Sequence, residues 1–176
     1  LEKPMSEINI LELGCGGANN LLFMAKEGAN VFGIDSSEIA INIAKKRFRK
    51  EKLKGDFILA DFRKISYPNS FFDLIIDRCA ITCVDKIKSE KVFLEVNRVL
   101  KPKGRFFFNA YSDDHTSCIT AKKNENGIST SITKGNLVGN GDLSFYNEKE
   151  LKTFFSKNWV IKEMKLKRHY DKVNHN

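Results

Sequence analysis

Short apolar runs alternate with helix-period patterns along the first 111 residues of this chain. Residues 8–13, rich in Ile and Leu, read as a buried strand, and residues 19–26 carry a helical pattern that Gly28 terminates. Residues 31–34 form a second strand closing on Asp35. Ser36 or Ser37 then caps a helix over about 37–50, with Ala40, Ala44 and Phe48, flanked by Ile39 and Ile43, as its apolar face. Residues 57–60 are a third strand closing on Asp61. Pro68, Asn69 and Ser70 make a turn, and residues 71–76 a fourth strand ending at Asp77. Val92, Val96 and Val99, beside Phe93 and Leu100, give residues 89–100 an amphipathic helical pattern that Pro102 and Gly104 stop. Residues 105–111 are a fifth strand.

Strands alternating with helices across short turns require parallel pairing and right-handed crossovers. The expected fold is α/β: an open, mostly parallel, doubly wound sheet in a single domain. Ligands bind such sheets outside the carboxyl ends of the strands, where strand order reverses. Glu12, Asp35, Asp61 and Asp77 all fall at those ends. A buried unpaired carboxylate is costly, so four in register point to a ligand rather than to packing.

The pattern changes over residues 112–146, which are rich in Ser, Thr, Asn, Gly and Lys and hold few large apolar residues. A loop this long is usually functional or disordered. Residues 128–133 alternate and suggest a small ribbon. Asn147 and Glu150 form a capping-box pattern for a helix that buries Leu151, Phe154 and Phe155, and residues 159–166 read as a last strand.

Composition narrows the class. With 176 residues, 41% of them hydrophobic, the chain fits one domain with a real core. It has no apolar run near the ~20 residues of a membrane span and no visible signal peptide. The cysteines (Cys15, Cys79, Cys83 and Cys118) make no Cys-x-x-Cys pair, and His115, His169 and His175 complete no zinc pattern. No metal site is expected, and reduced thiols suit a cytoplasmic location. The net charge of +8 could attract nucleic acid, but the lysines are spread along the chain. The run at 45–50 reads as the solvated end of a helix.

Two nucleotide-type ligands suit a strand, a glycine loop and a later acid. A dinucleotide loop asks for Gly-x-Gly-x-x-Gly. Here Gly14 and Gly16 fit, Asn19 occupies the third position, and Glu12 precedes the loop. S-adenosyl-L-methionine (SAM) instead offers an ammonium, a ribose diol and an adenine amine, all suited to carboxylate acceptors. The stretch Leu11-Glu12-Leu13-Gly14-Cys15-Gly16-Gly17 resembles the first motif of the class I SAM-dependent methyltransferases. The resemblance continues at residues 33–37, 60–62 and 72–78, and at Leu100-Lys101-Pro102-Lys103-Gly104.

The resemblance implies a site. Gly14, Cys15 and Gly16 would line the methionine and ribose portion, with Glu12 near the methionine end. Asp35 would accept the ribose hydroxyls and Ser36 would flank the adenosine. Asp61 would bond the adenine amine, and Phe62 would lie against the ring. Asp77 and Arg78 would face the methyl group or the methionine carboxylate. The chain departs from the family pattern in its Gly17-Ala18-Asn19 turn. It also lacks a leading helix, which is absent or lies upstream of Leu1, and shows only one strand of the terminal hairpin, so terminal parts of the fold are expected to lie outside these residues or to be shortened.

Methyl transfer from a sulfonium needs proximity and orientation first, and a base only for a protonated acceptor. Weak catalytic candidates are His115, Tyr111 and Arg78; Asp113, Asp114 and Tyr146 also lie near the fifth strand's end or close the long loop. The expected activity is methyl transfer to a small-molecule acceptor by in-line displacement, with residues 112–146 as the acceptor-binding cap. An RNA- or protein-directed enzyme and a non-catalytic SAM-binding module are the alternatives.

Overall fold

The computed structural model describes residues 3–167. Strands β1 (Asn9–Leu13), β2 (Asn30–Asp35), β3 (Asp56–Leu59), β4 (Phe72–Arg78) and β5 (Leu100–Asn109) form a parallel sheet in the order β3-β2-β1-β4-β5. Helices α1 (Asn19–Lys26), α2 (Glu38–Lys50) and α3 (Lys86–Val99) lie in the connections between strands. The chain moves from β1 outward to β3, then returns to place β4 against the other side of β1. The order therefore reverses between β1 and β4, the position at which such sheets bind ligands.

Period-two alternation sends strand residues to two separate cores. Ile8, Ile10 and Val31 pack with Leu21 and Ala25 of α1 and Ile41, Ala44 and Phe48 of α2. Leu11, Leu13, Ile34 and Ile75 pack with Val92, Phe93, Val96 and Val99 of α3 on the opposite face. The sheet is thus doubly wound, as expected.

Several boundaries differ from the sequence reading. The buried face of α2 is Ile41, Ala44 and Phe48, while Ile39 and Ile43 are exposed. Helix α3 begins at Lys86 rather than residue 89, because Asp85 accepts from the Lys88 N–H at 2.8 Å and caps it three residues earlier. Pro102 and Gly104 do not separate helix from strand. The helix passes directly into β5, and the pairing shifts from Phe72–Leu100 to Leu74–Arg105. Pro102, with no N–H to give, and Lys103, at φ +64°, sit inside that irregularity.

Residues 159–166 do not form the expected strand. Trp159 packs on Phe106 and Phe155, but Val160, Ile161, Met164 and Leu166 are exposed. Alternation alone does not make a strand; a ladder partner is also required, and none pairs with this segment among the described residues.

The 112–146 region is more ordered than its composition suggests. It holds α4 (Thr116–Ile119) and a ribbon of β6 (Lys122–Lys123) and β7 (Ser129–Thr130). Cys118, Leu137, Leu143 and Phe145 give it a small core of its own, against which Tyr111 and Ile132 pack. Helix α5 (Glu148–Phe154) follows with both halves of the Asn147–Glu150 capping box formed. Leu151, Phe154 and Phe155 are half-buried rather than buried.

Candidate functional site

The turn after β1 is built from left-handed backbone at Gly14 (φ +60°), Gly16 (φ +52°) and Ala18 (φ +58°). A Cβ on Gly14 would meet the Cβ of Ala80 at 2.3 Å, whereas one on Gly16 would meet nothing within 4 Å. Gly14 is therefore a packing requirement, and Gly16 leaves the backbone open on one side.

Neighbouring elements hold the turn in place. The Cys15 N–H donates to Ile34 O at 3.0 Å. Asp35, at the end of β2, accepts from the Gly16 N–H through Oδ2 and from the Ser37 N–H through Oδ1, both at 2.8 Å. Its half-buried carboxylate joins the glycine turn to the start of α2 and keeps lone pairs for further donors. Ser36 is exposed beside it, while Ser37 is the helix cap. Arg47 reaches back from α2 and donates to Gly17 O and Asn19 Oδ1. It is a latch on the turn rather than part of a solvated helix end. No sequence signal marks this role, since Arg47 sits in a run of cations.

Glu12 and Asp77 are the buried acids of the site. Glu12 accepts from the Asn20 amide through Oε1, and its Oε2 has no partner. Asp77 Oδ1 accepts from the N–H groups of Ala80 at 3.1 Å and Ile81 at 2.9 Å, and its Oδ2 has none. Burial pushes both carboxyls up to about 7. Arg78 donates to Asn20 Oδ1 at 2.8 Å, so Asn20 stands between the guanidinium and Glu12. Asn20 also escaped sequence reasoning, although its place one turn into the helix after a glycine loop is a usable signal.

Asp61 and Phe62 lie in the turn after β3. Asp61 is exposed and tied to Arg63, accepting from its backbone N–H at 2.8 Å and from its guanidinium. That contact holds its carboxyl below the usual range. Phe62 is half-buried against the α3-side core.

The three catalytic candidates are engaged elsewhere. Burial pushes the Tyr111 hydroxyl up to about 12, with the Cys79 thiol adding to the shift. His115 caps α4, its Nδ1 accepting from the Ser117 N–H at 3.0 Å. A neutral imidazole so bonded carries its proton on Nε2 and offers a donor, not a base. Arg78 is exposed and bound to Asn20. Tyr146, by contrast, is buried, its hydroxyl 2.8 Å from Ser89 Oγ, and belongs to the core.

Residues 10–104 match the family described as a methyltransferase domain. The chain belongs to that family of SAM-dependent methyltransferases. The methyltransferase domain is 33% identical over 107 residues to a ubiquinone biosynthesis O-methyltransferase of Pelagibacter ubique, covering 60% of this chain and 43% of the relative. It is 29% identical over 139 residues to sterol 24-C-methyltransferase erg-4 of Neurospora crassa, covering 72% and 36%. Its fold resembles that of a SAM-dependent methyltransferase of Methanosarcina mazei, with a TM-score of 0.69, 24% identity, and 84% and 77% coverage. The domain thus spans less than half the length of the two curated relatives.

The donor set fits SAM. Two buried carboxyls each leave an oxygen unpaired at the reversal of strand order, beside a glycine turn that is open at Gly16. Among the described residues, no helix is long and apolar enough to cross a membrane.

Proposed function

We propose that this domain transfers the methyl group of SAM to a small-molecule acceptor by in-line displacement. The observation that carries the reading is the arrangement around the glycine turn: Glu12 with a free buried oxygen on one side and Asp35 on the other. Glu12 holds the ammonium end, Asp35 takes the ribose hydroxyls, and the Gly14–Gly16 backbone lies along the methionine. Ser36 flanks the adenosine, Asp61 and Phe62 border the adenine, and Asp77 with Arg78 closes the methionine end. When bound, SAM supplies a methyl group on a sulfonium, electrophilic without further activation. The chain's own residues bind, orient and exclude water.

Residues 112–146 form the acceptor-binding cap of a single methyltransferase domain. The cap is tied to the ends of β4 and β5: Tyr146 N–H donates to Tyr111 O at 2.9 Å, and Ser144 N–H to Thr82 O at 2.7 Å. Tyr111 and His115 present donors there. This favours an acceptor that ionises on its own or carries a free lone pair, such as an acidic phenol or an amine. The names of the two curated relatives, one an O- and one a C-methyltransferase of small molecules, agree with such an acceptor. The densest cationic run, Lys45 to Lys54, covers the last turns of α2 and the loop into β3, with Arg47 alone reaching the glycine turn. That loop feeds the amino end of a parallel strand, opposite the end that carries the site, and it argues against an RNA acceptor.

Calorimetry with S-adenosylhomocysteine and NAD, followed by transfer from methyl-labelled SAM into cell extract, tests the reading. Binding of S-adenosylhomocysteine and label in the small-molecule fraction are expected. Label in RNA or protein overturns the acceptor class. Binding without transfer overturns the enzymatic reading in favour of a SAM-binding module, and preference for NAD overturns the cofactor.

A further inference from the structure

Glu12 on β1 pairs in register with Ile76 on β4, and Arg78 follows two residues further along β4. Strand side chains alternate, so Glu12, Ile76 and Arg78 share the face of the sheet that α1 covers, while Asp77 belongs to the other face. Diagonal neighbours on adjoining strands sit roughly 8 Å apart, within reach of an arginine side chain. Among the described residues, however, Glu12 and Arg78 form no ion pair. Arg78 donates instead to Asn20 Oδ1 at 2.8 Å, and Asn20 Nδ2 donates to Glu12 Oε1.

Asn20 lies half-buried in the first turn of α1, directly after the glycine turn. One amide thus separates two opposite charges, and they fix its orientation in turn. Turned over, it would aim its NH2 group at a guanidinium that cannot accept and its oxygen at a carboxylate that cannot donate. The polar atoms are divided by this arrangement. Glu12 is buried and keeps Oε2 without a partner. Arg78 is exposed, and its guanidinium carries more donors than Asn20 uses.

We propose that Asn20 is a positioning residue for the amino-acid end of the cofactor: by standing between Arg78 and Glu12 it prevents their ion pair, keeping Glu12 Oε2 open for the ligand's ammonium and the guanidinium free to meet the ligand's carboxylate. The proposal rests on the SAM reading above. Asn20 acts through Glu12 and need not touch the ligand. Burial drives Glu12 towards its neutral form, and the Asn20 bond, followed by the charge of Arg78, opposes it. Without the amide, Arg78 and Glu12 would close on one another. An entering ammonium would then have to displace a guanidinium from the carboxylate, breaking a charge-assisted bond to make one.

The test is calorimetry on Asn20→Ala with two ligands. S-adenosylhomocysteine carries the amino-acid end, whereas methylthioadenosine keeps the adenosine and the sulfur but ends in a methyl group. Alanine favours the helix, so the variant should fold, and its Tm checks this. S-adenosylhomocysteine should bind at least about tenfold more weakly to Asn20→Ala, the scale of a lost bond to a charged group, and methylthioadenosine within about threefold of wild type. In a Glu12→Gln background the further loss on Asn20→Ala should shrink to about threefold or less, since the two residues act as one unit. Equal weakening of both ligands, unchanged affinity for S-adenosylhomocysteine, or an undiminished loss in the Glu12→Gln background overturns the proposal and leaves the cofactor reading standing. Failure of the wild-type protein to bind S-adenosylhomocysteine overturns the cofactor reading, and the role of Asn20 with it.

Discussion

Gly14→Ala isolates the packing demand that the glycine turn places on the site. The new Cβ would lie 2.3 Å from the Cβ of Ala80, more than an ångström inside normal carbon contact at about 3.5–4.0 Å. Ala80 cannot simply withdraw, because its N–H is bonded to Asp77 Oδ1 at 3.1 Å. The left-handed backbone at φ +60° adds roughly 1–2 kcal/mol, and overpacking about 1–3 kcal/mol more. The expected loss is about 2–5 kcal/mol, or a fall in Tm of roughly 5–15 °C for a domain of this size. Gly16→Ala is the matched control. It has a similar φ but open space, so it loses only about 1–2 kcal/mol, yet it should bind S-adenosylhomocysteine at least tenfold more weakly because its methyl enters the ligand's side of the turn. Thermal denaturation and calorimetry on the two variants decide the matter. A Tm for Gly14→Ala within about 2 °C of wild type would refute the packing argument, as would equal destabilisation by the two changes.

Asp35→Ala removes the acceptor for two backbone N–H groups and should weaken cofactor binding by about 1–3 kcal/mol while lowering stability; unchanged affinity by calorimetry would remove Asp35 from the site. Glu12 and Asp77 move from ordinary values of 4.5 and 3.8 to about 7, so folding favours their protonated forms. Their contribution to stability is full below about pH 4 and is lost as pH rises through about 7. Relative to wild type, Glu12→Gln and Asp77→Asn should therefore each gain on the order of 1–3 kcal/mol between about pH 5 and pH 8 in urea denaturation, and a pH-independent difference would contradict this. His115→Ala should lose about 1 kcal/mol through the missing cap but keep transfer activity within a few-fold; a hundredfold fall in kcat with an altered pH profile would restore His115 as a base.

Much of the architecture was legible in the chain itself. Near-continuous apolar runs marked β1, β2 and β4 because strands covered on both faces carry few polar residues, and the capping box at Asn147 marked α5 because its contacts are local. The Asp35 position and the left-handed glycines were readable for the same reason. The segment after Trp159 was misread because alternation reports a pattern, not a ladder partner. The boundary between α3 and β5 was misplaced because Pro102 and Gly104 serve a bulge as readily as a stop.

By itself, then, the sequence determined where strands and helices lie and that acids close the strands, since periodicity and turn chemistry act over a few residues. It could not tell that, of four strand-end acids, Glu12 and Asp77 would be buried while Asp61 faces solvent against Arg63. Nor could it show that Arg47 latches a turn some thirty residues away. Those facts depend on strand order and register, which place β4 rather than β3 against the free side of β1. Only the folded sheet sets β4 beside β1 and so buries a carboxyl at each of those two strand ends, while Asp61, after the edge strand β3, stays in solvent.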